Sequence, residues 1–277
     1  MRAHMLYYVS YGVVAMEPLT DFMQEAMRIV ELAEKKGMIL RVMGACAVRV
    51  HCPEYEYLYK KIGRELSDID FFSYSKFQSD MKKFFEDIGY KPREYIFKYW
   101  ERTGLLRQIY DDEKNKRVVD VFFDELSMCH TINLRGRLKL DYPTITLSDI
   151  LLQKLQIIKL NEKDIKDTIV LLREHEVGAK DEETVNGKYI ANLLSKDWGF
   201  YYTVITNLNR VKDFLKKYKA LTKEDCNDVS TKVDELLRVI QKEPKSLKWK
   251  VREKIGTRKK WYTEVEEATL PGTPMRD

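Results

Sequence analysis

Cysteine is scarce in this chain: 277 residues carry four, Cys46, Cys52, Cys129 and Cys226, and none forms a Cys-x-x-Cys pair. That rules out a disulfide-built scaffold and points to free thiols in a reducing, cytoplasmic setting. His51-Cys52 and Cys129-His130 match no familiar zinc module, since neighbours along a strand point to opposite faces. No apolar run approaches the ~20 residues that span a bilayer, so no membrane partner is expected. The patches Met5 to Val9 and Val13 to Met16 are interrupted by Ser10 and Gly12 and carry little positive charge, unlike a signal peptide. Internal repeats and low-complexity tracts are also missing. Forty-four per cent hydrophobic residues leave enough apolar material for a well-packed globular protein. The net charge of +5 is uneven, because Lys242 to Lys260 holds nine Lys/Arg against Glu243 and Glu253. That local excess of +7 can attract polyanions or simply line a solvated helix face.

Hydrophobic spacing organises the chain into two parts. Leu19 to Lys36 has the three-to-four period of an amphipathic helix, with Thr20 or Asp21 as cap and Gly37 as stop. Met38 to Met43 reads as a short buried strand, turning at Gly44-Ala45-Cys46-Ala47 into a helix that stops before Pro53. Lys76 to Ile88 is expected to be a helix, and Leu105 to Tyr110 and Arg117 to Phe123 two strands around a polar turn. Beyond Pro143 the pattern becomes helical: Ser148 to Leu160, Glu162 to His175, Asn186 to Leu194, Trp198 to Tyr218 and Lys223 to Gln241. Leu247, Val251 and Ile255 recur every four residues, as in a docked amphipathic helix, while Trp249, Trp261 and Tyr262 among the lysines also suit RNA stacking. The expected class is α/β (α+β): a small mixed-sheet domain over 1–145, a helical domain over 146–262 and a flexible tail over 263–277.

Asp68 and Asp70 are separated by Ile69 and run into Phe71-Phe72, the text of a buried strand. Residues i and i+2 share a strand face, so the two carboxylates point the same way. Like charges that close repel unless a cation sits between them, and Mg²⁺ is the natural one. A third acid, Asp120, lies between Val119 and Val121, where burial is costly unless it is paired or bound to metal. Asp124 shares its parity and is the rival third carboxylate.

In order, Met43-Gly44-Ala45-Cys46-Ala47-Val48, Arg64-x-x-x-Asp68-Ile69-Asp70 and Asp120 resemble the pattern of the nucleotidyltransferase superfamily related to DNA polymerase β. Leu151-Leu152-Gln153-Lys154-Leu155, followed by Glu162 to Asp167, is similar to the branch that includes abortive-infection and toxin–antitoxin nucleotidyltransferases. The likeness covers roughly Arg41 to Leu172. It implies transfer of a nucleoside monophosphate from an NTP to an acceptor hydroxyl, with release of pyrophosphate. It also implies two Mg²⁺ ions (or Mn²⁺) on Asp68, Asp70 and Asp120. Gly44, Ala45, Arg64, Ser67 and Lys154 would bind the nucleotide, and the acceptor is an RNA end, a protein side chain or a small molecule. Ala45 stands where relatives have Ser, so backbone N–H groups would have to hold phosphate there. The segment between Gly44 and Asp68, with Tyr55, Tyr57 and Tyr59, is longer than usual.

Plainer roles stand beside these. Asp120 can pair with Arg107 or Arg117, Lys154 can be a solvated helix residue, and Asp164 and Asp167 can be helix caps or surface partners. Nucleotide-sugar glycosyltransferases also use Asp-x-Asp but need a longer α/β region before it. A non-catalytic RNA- or protein-binding module is the other rival.

Overall fold

The computed structural model describes residues 17–103 and 106–264, with the backbone alone at 99–103. The chain opens with α1 (Phe22–Lys35), β1 (Leu40–Met43), α2 (Gly44–His51), α3 (Glu56–Lys61) and β2 (Asp68–Ser73). Next come α4 (Gln78–Asp87), β3 (Lys91–Pro92), α5 (Glu94–Thr103), β4 (Arg107–Asp112), β5 (Arg117–Phe123) and a small hairpin of β6 (Glu125–Ser127) and β7 (Thr131–Asn133). The remainder is α6 (Leu147–Leu155), α7 (Glu162–Glu174), the short strands β8 (Val177–Gly178) and β9 (Val185–Asn186), then α8 (Gly187–Leu194), α9 (Trp198–Lys217), α10 (Lys223–Lys242) and α11 (Leu247–Ile255). This is the expected α+β class. No described helix is long and apolar enough to cross a membrane.

The main sheet has the order β1-β2-β5-β4-β3. Its central pair, β2 and β5, is parallel, while β1–β2, β5–β4 and β4–β3 are antiparallel. Asp70 sits directly opposite Asp120 across the parallel pair and opposite Met43 on β1. Phe71, Val119 and Val121 are fully buried, so the acidic face is fixed by burial of the other. The free edge of β1 is gripped by the chain leading into α6: Val42 N–H donates to Pro143 O, and Ile145 N–H to Val42 O, each at 3.0 Å.

Local signals explain most boundaries. Asp21 caps α1 by accepting from Met23 N and Gln24 N, and Gly37 follows the helix at a positive φ of 74°. Asn161, Asp197 and Thr222 cap α7, α9 and α10 in the same way, Thr222 with a full capping box. The helix expected over Ser148 to Leu160 stops at Leu155, because Asn207 Nδ2 donates to the carbonyls of Leu155 and Ile157 and draws the chain aside. One apolar cluster runs from Ala26 through the sheet and on to Ile240. The expected tail falls largely outside the described residues, as do the patches between Met1 and Met16.

Candidate active site

Gly44 is the corner on which the site is built. The buried strand β1 ends at Met43, and Gly44 opens α2 with φ of +68°. A Cβ there would lie 2.5 Å from Asp70 Oδ2. Two demands therefore meet at one residue: a left-handed backbone and room for a carboxylate. Gly44 N–H donates to Gln153 Oε1 on α6 at 3.0 Å, which ties the corner to the helical half. The N–H groups of Ala45 and Cys46 head α2 and have no partner within that helix. Replacing Gly44 with Ala is expected to cost about 1–2 kcal/mol for the backbone alone and to displace Asp70. A melt of G44A showing wild-type stability, with full divalent-cation binding, would refute this account of the corner.

Asp68 and Asp70 project from the same face of β2, and both retain some exposure to solvent. Asp68 Oδ1 accepts from Ser67 Oγ at 3.2 Å. Asp70 is crowded against protein; burial, then the charges of Asp68 and Asp120, push its carboxyl well above the usual carboxylate range, against a smaller opposing pull from Lys154 and Arg107. Cys46 lies beneath, with its thiol 3.7 Å from Asp68 O. Burial, with help from Asp70 and Asp68, pushes that thiol up, so it remains protonated and inert.

Asp120 completes the acidic face but is already engaged. Arg107 on β4 grips it with Nε to Oδ1 at 3.0 Å and Nη2 to Oδ2 at 2.9 Å. The plainer reading of Asp120, a pair with Arg107, therefore describes the present arrangement. Arg117 instead makes a buried pair with Asp112 at 2.7 Å. Asp124, the rival third carboxylate, is engaged elsewhere. It follows the end of β5 with φ of 58°, accepts from Ser75 N–H at 3.1 Å and lies 3.3 Å from Arg135. Burial works to raise its pKa, but Ser75 and Arg135 outweigh it and hold the carboxyl low.

Lys154 and Arg64 do not open onto the carboxylates as free cations. Arg64 forks onto Asp167 with both contacts at 3.0 Å, and Lys154 Nζ lies 2.8 Å from Asp167 and 3.2 Å from Asp164. Asp167 is fully buried, which corrects its reading as a surface or capping residue. Burial works against its charge, yet Lys154 and Arg64 together keep its pKa below the ordinary value. Asp164 does sit in the first turn of α7, with its N–H on Asn161.

Among the described residues, no group of three or more His, Cys, Asp or Glu side chains is placed to hold a metal ion. That includes the histidine–cysteine neighbours: His130 Nε2 lies 2.8 Å from Thr203 and His51 Nε2 lies 2.6 Å from Thr144. Mg²⁺ does not need an all-protein cage, since one or two carboxylates, water and substrate phosphate ordinarily suffice. Asp68 and Asp70 fit that role, because no described donor or cation is bonded to Asp70 and the negative charges of Asp68 and Asp120 outweigh the pull of Lys154 and Arg107 on it.

Gln153 is a neighbour whose role the sequence does not mark, and Asp167 is one whose sequence reading names the wrong role. Nothing local marks the Gly44–Gln153 or the Arg64–Asp167 contact, because each joins residues more than 100 positions apart. Arg107 was readable: in the β4–β5 hairpin it lies diagonally from Asp120, which faces Ile109. Comparison with family models, curated proteins and solved structures finds no match, so the nucleotidyltransferase resemblance rests on this chain's own residues.

Proposed function

We propose that this protein transfers a nucleoside monophosphate from an NTP to an acceptor hydroxyl, releasing pyrophosphate. The observation that carries the reading is Asp70 packed beside Asp68 and Asp120 at the Gly44 corner, a concentration of negative charge that a divalent cation would relieve. Asp68 and Asp70 would hold Mg²⁺, which supplies charge neutralisation for the triphosphate and lowers the pKa of the acceptor hydroxyl. Gly44 leaves room for the Asp70 carboxylate, and the N–H groups at the head of α2 offer phosphate donors in place of the missing Ser hydroxyl. The acceptor oxygen attacks the α-phosphorus, its proton passes to solvent or a nearby carboxylate, and the bond to pyrophosphate breaks in line. Asp120 lies opposite Asp70 to receive that proton or a second cation once Arg107 releases it.

Asp120's pairing with Arg107 favours a second reading, a binding module whose acidic site is neutralised internally. Each α-labelled NTP, incubated with the protein, Mg²⁺ and cell RNA or lysate, separates the two. Label moving onto an acceptor with stoichiometric pyrophosphate, abolished in Asp68→Ala, supports transfer. No NTP consumed, with nucleic-acid or protein binding indifferent to Asp68→Ala and Asp70→Ala, supports the module.

A further inference from the structure

The helix α11 does not dock in the way its sequence suggests. A docked amphipathic helix would turn Leu247, Val251 and Ile255 toward the body, yet they are 81%, 62% and 39% exposed, while Trp249 is the buried residue. Trp249 packs edge-on against Tyr201 with ring centroids 5.1 Å apart, and Ser246 caps the helix. Arg252 lies over the Trp198 ring at 4.8 Å and donates to the carbonyls of Gly256 and Lys259. The helix is thus pinned from one side and presents a preformed outer face.

That face has a definite layout. At about 100° per residue, the three aliphatic side chains fall within about 80° of one another. Lys250 and Lys254 border the stripe on one side and Lys248 on the other, all exposed. The one acid of the helix, Glu253, lies toward the Trp249 side, roughly opposite the stripe. Arg258, Lys259 and Lys260 extend the exposed charge just beyond the helix. Among the described residues, Lys248, Lys250, Lys254 and Lys259 have no ion-pair partner.

We propose that this face of α11 is a docking surface for an anionic lipid bilayer. An aliphatic stripe bordered by lysines suits a boundary where apolar side chains enter the acyl region and ammonium groups snorkel to headgroup phosphates. Neither element is sufficient alone: three side chains bury little, and a polybasic patch adds the second signal that peripheral anchoring needs. Single-stranded RNA would use the lysines and leave the stripe without a role, because bases stack on rings. A second copy of this chain would bring like charges together. No described helix crosses a bilayer, and this contact requires none.

Full-length protein is sedimented with vesicles of phosphatidylcholine alone and of phosphatidylcholine with phosphatidylserine, at low and raised salt. Binding is expected only with phosphatidylserine. The variant K248Q/K250Q/K254Q should bind about a hundredfold more weakly, at about fivefold per lysine. L247S/V251S/I255S should also bind at least about tenfold more weakly. All six positions are exposed, and unchanged thermal melts verify that each variant is folded. The proposal is overturned by absence of phosphatidylserine-dependent binding or by wild-type binding in the serine variant. Displacement of bound vesicles by stoichiometric single-stranded RNA would overturn it in favour of a nucleic-acid surface. Activity of the Asp68 and Asp70 site does not enter this measurement, so the two readings stand or fall separately.

Discussion

Asp167→Ala is expected to lower stability by about 3–5 kcal/mol, the cost of leaving buried cations without their partner. Arg64 would retain only the carbonyl of Glu65, and Lys154 only Asp164. For a chain of this length the melting temperature should fall by roughly 10 °C, at about 2–4 °C per kcal/mol. Asp167→Asn preserves the shape but halves the acceptor capacity, and should fall between the variant and wild type. A calorimetric scan with D167A melting within a degree or two of wild type would mean that the Arg64–Asp167–Lys154 cluster is not a structural keystone. The two cations would then be free to serve a nucleotide instead.

Asp70→Asn should separate stability from activity. The charged form of Asp70 is disfavoured by burial and by Asp68 and Asp120, so its contribution to folding is present at low pH and lost as pH rises through its raised pKa. Removing that charge is expected to raise the melting temperature of metal-free protein at neutral pH by a few degrees. Wild type should gain stability with Mg²⁺, by about 2.7 kcal/mol at a hundred times the dissociation constant, and D70N should not. Nucleotide transfer should fall by about 10²–10³-fold or more, as for loss of one preorganised electrostatic group. If D70N is destabilised, or if Mg²⁺ stabilises both proteins equally, Asp70 is a satisfied structural carboxylate and the proposed site is wrong.

The text carried the elements well where a single period ruled. Asp21, Gly37 and Gly44 announce helix ends through backbone chemistry that depends only on near neighbours. The Asp68-Ile69-Asp70 alternation gave the face of β2 for the same reason. Partners of charged side chains were less legible. Asp167 and Asp164 look alike in sequence, but the turn of α7 toward Arg64 buries the first and leaves the second at the rim. In α11 the four-residue period marks a real stripe, and its direction is set by Trp249, a larger apolar surface on the other side. Periodicity gives a face; competing burial decides which way it turns.

The strap across the outer edge of β1 limits how this protein can be cut or recombined. Pro143 and Ile145 complete the hydrogen bonding of Val42, and ten positions after Pro143 the same run of chain delivers the amide that steadies Gly44. A fragment ending before that run would bare a strand edge able to recruit other chains, and would lose the tether on its sharpest bend. Any chimera that exchanges the helical half should therefore take its splice beyond Gln153, so that the seam travels with the sheet.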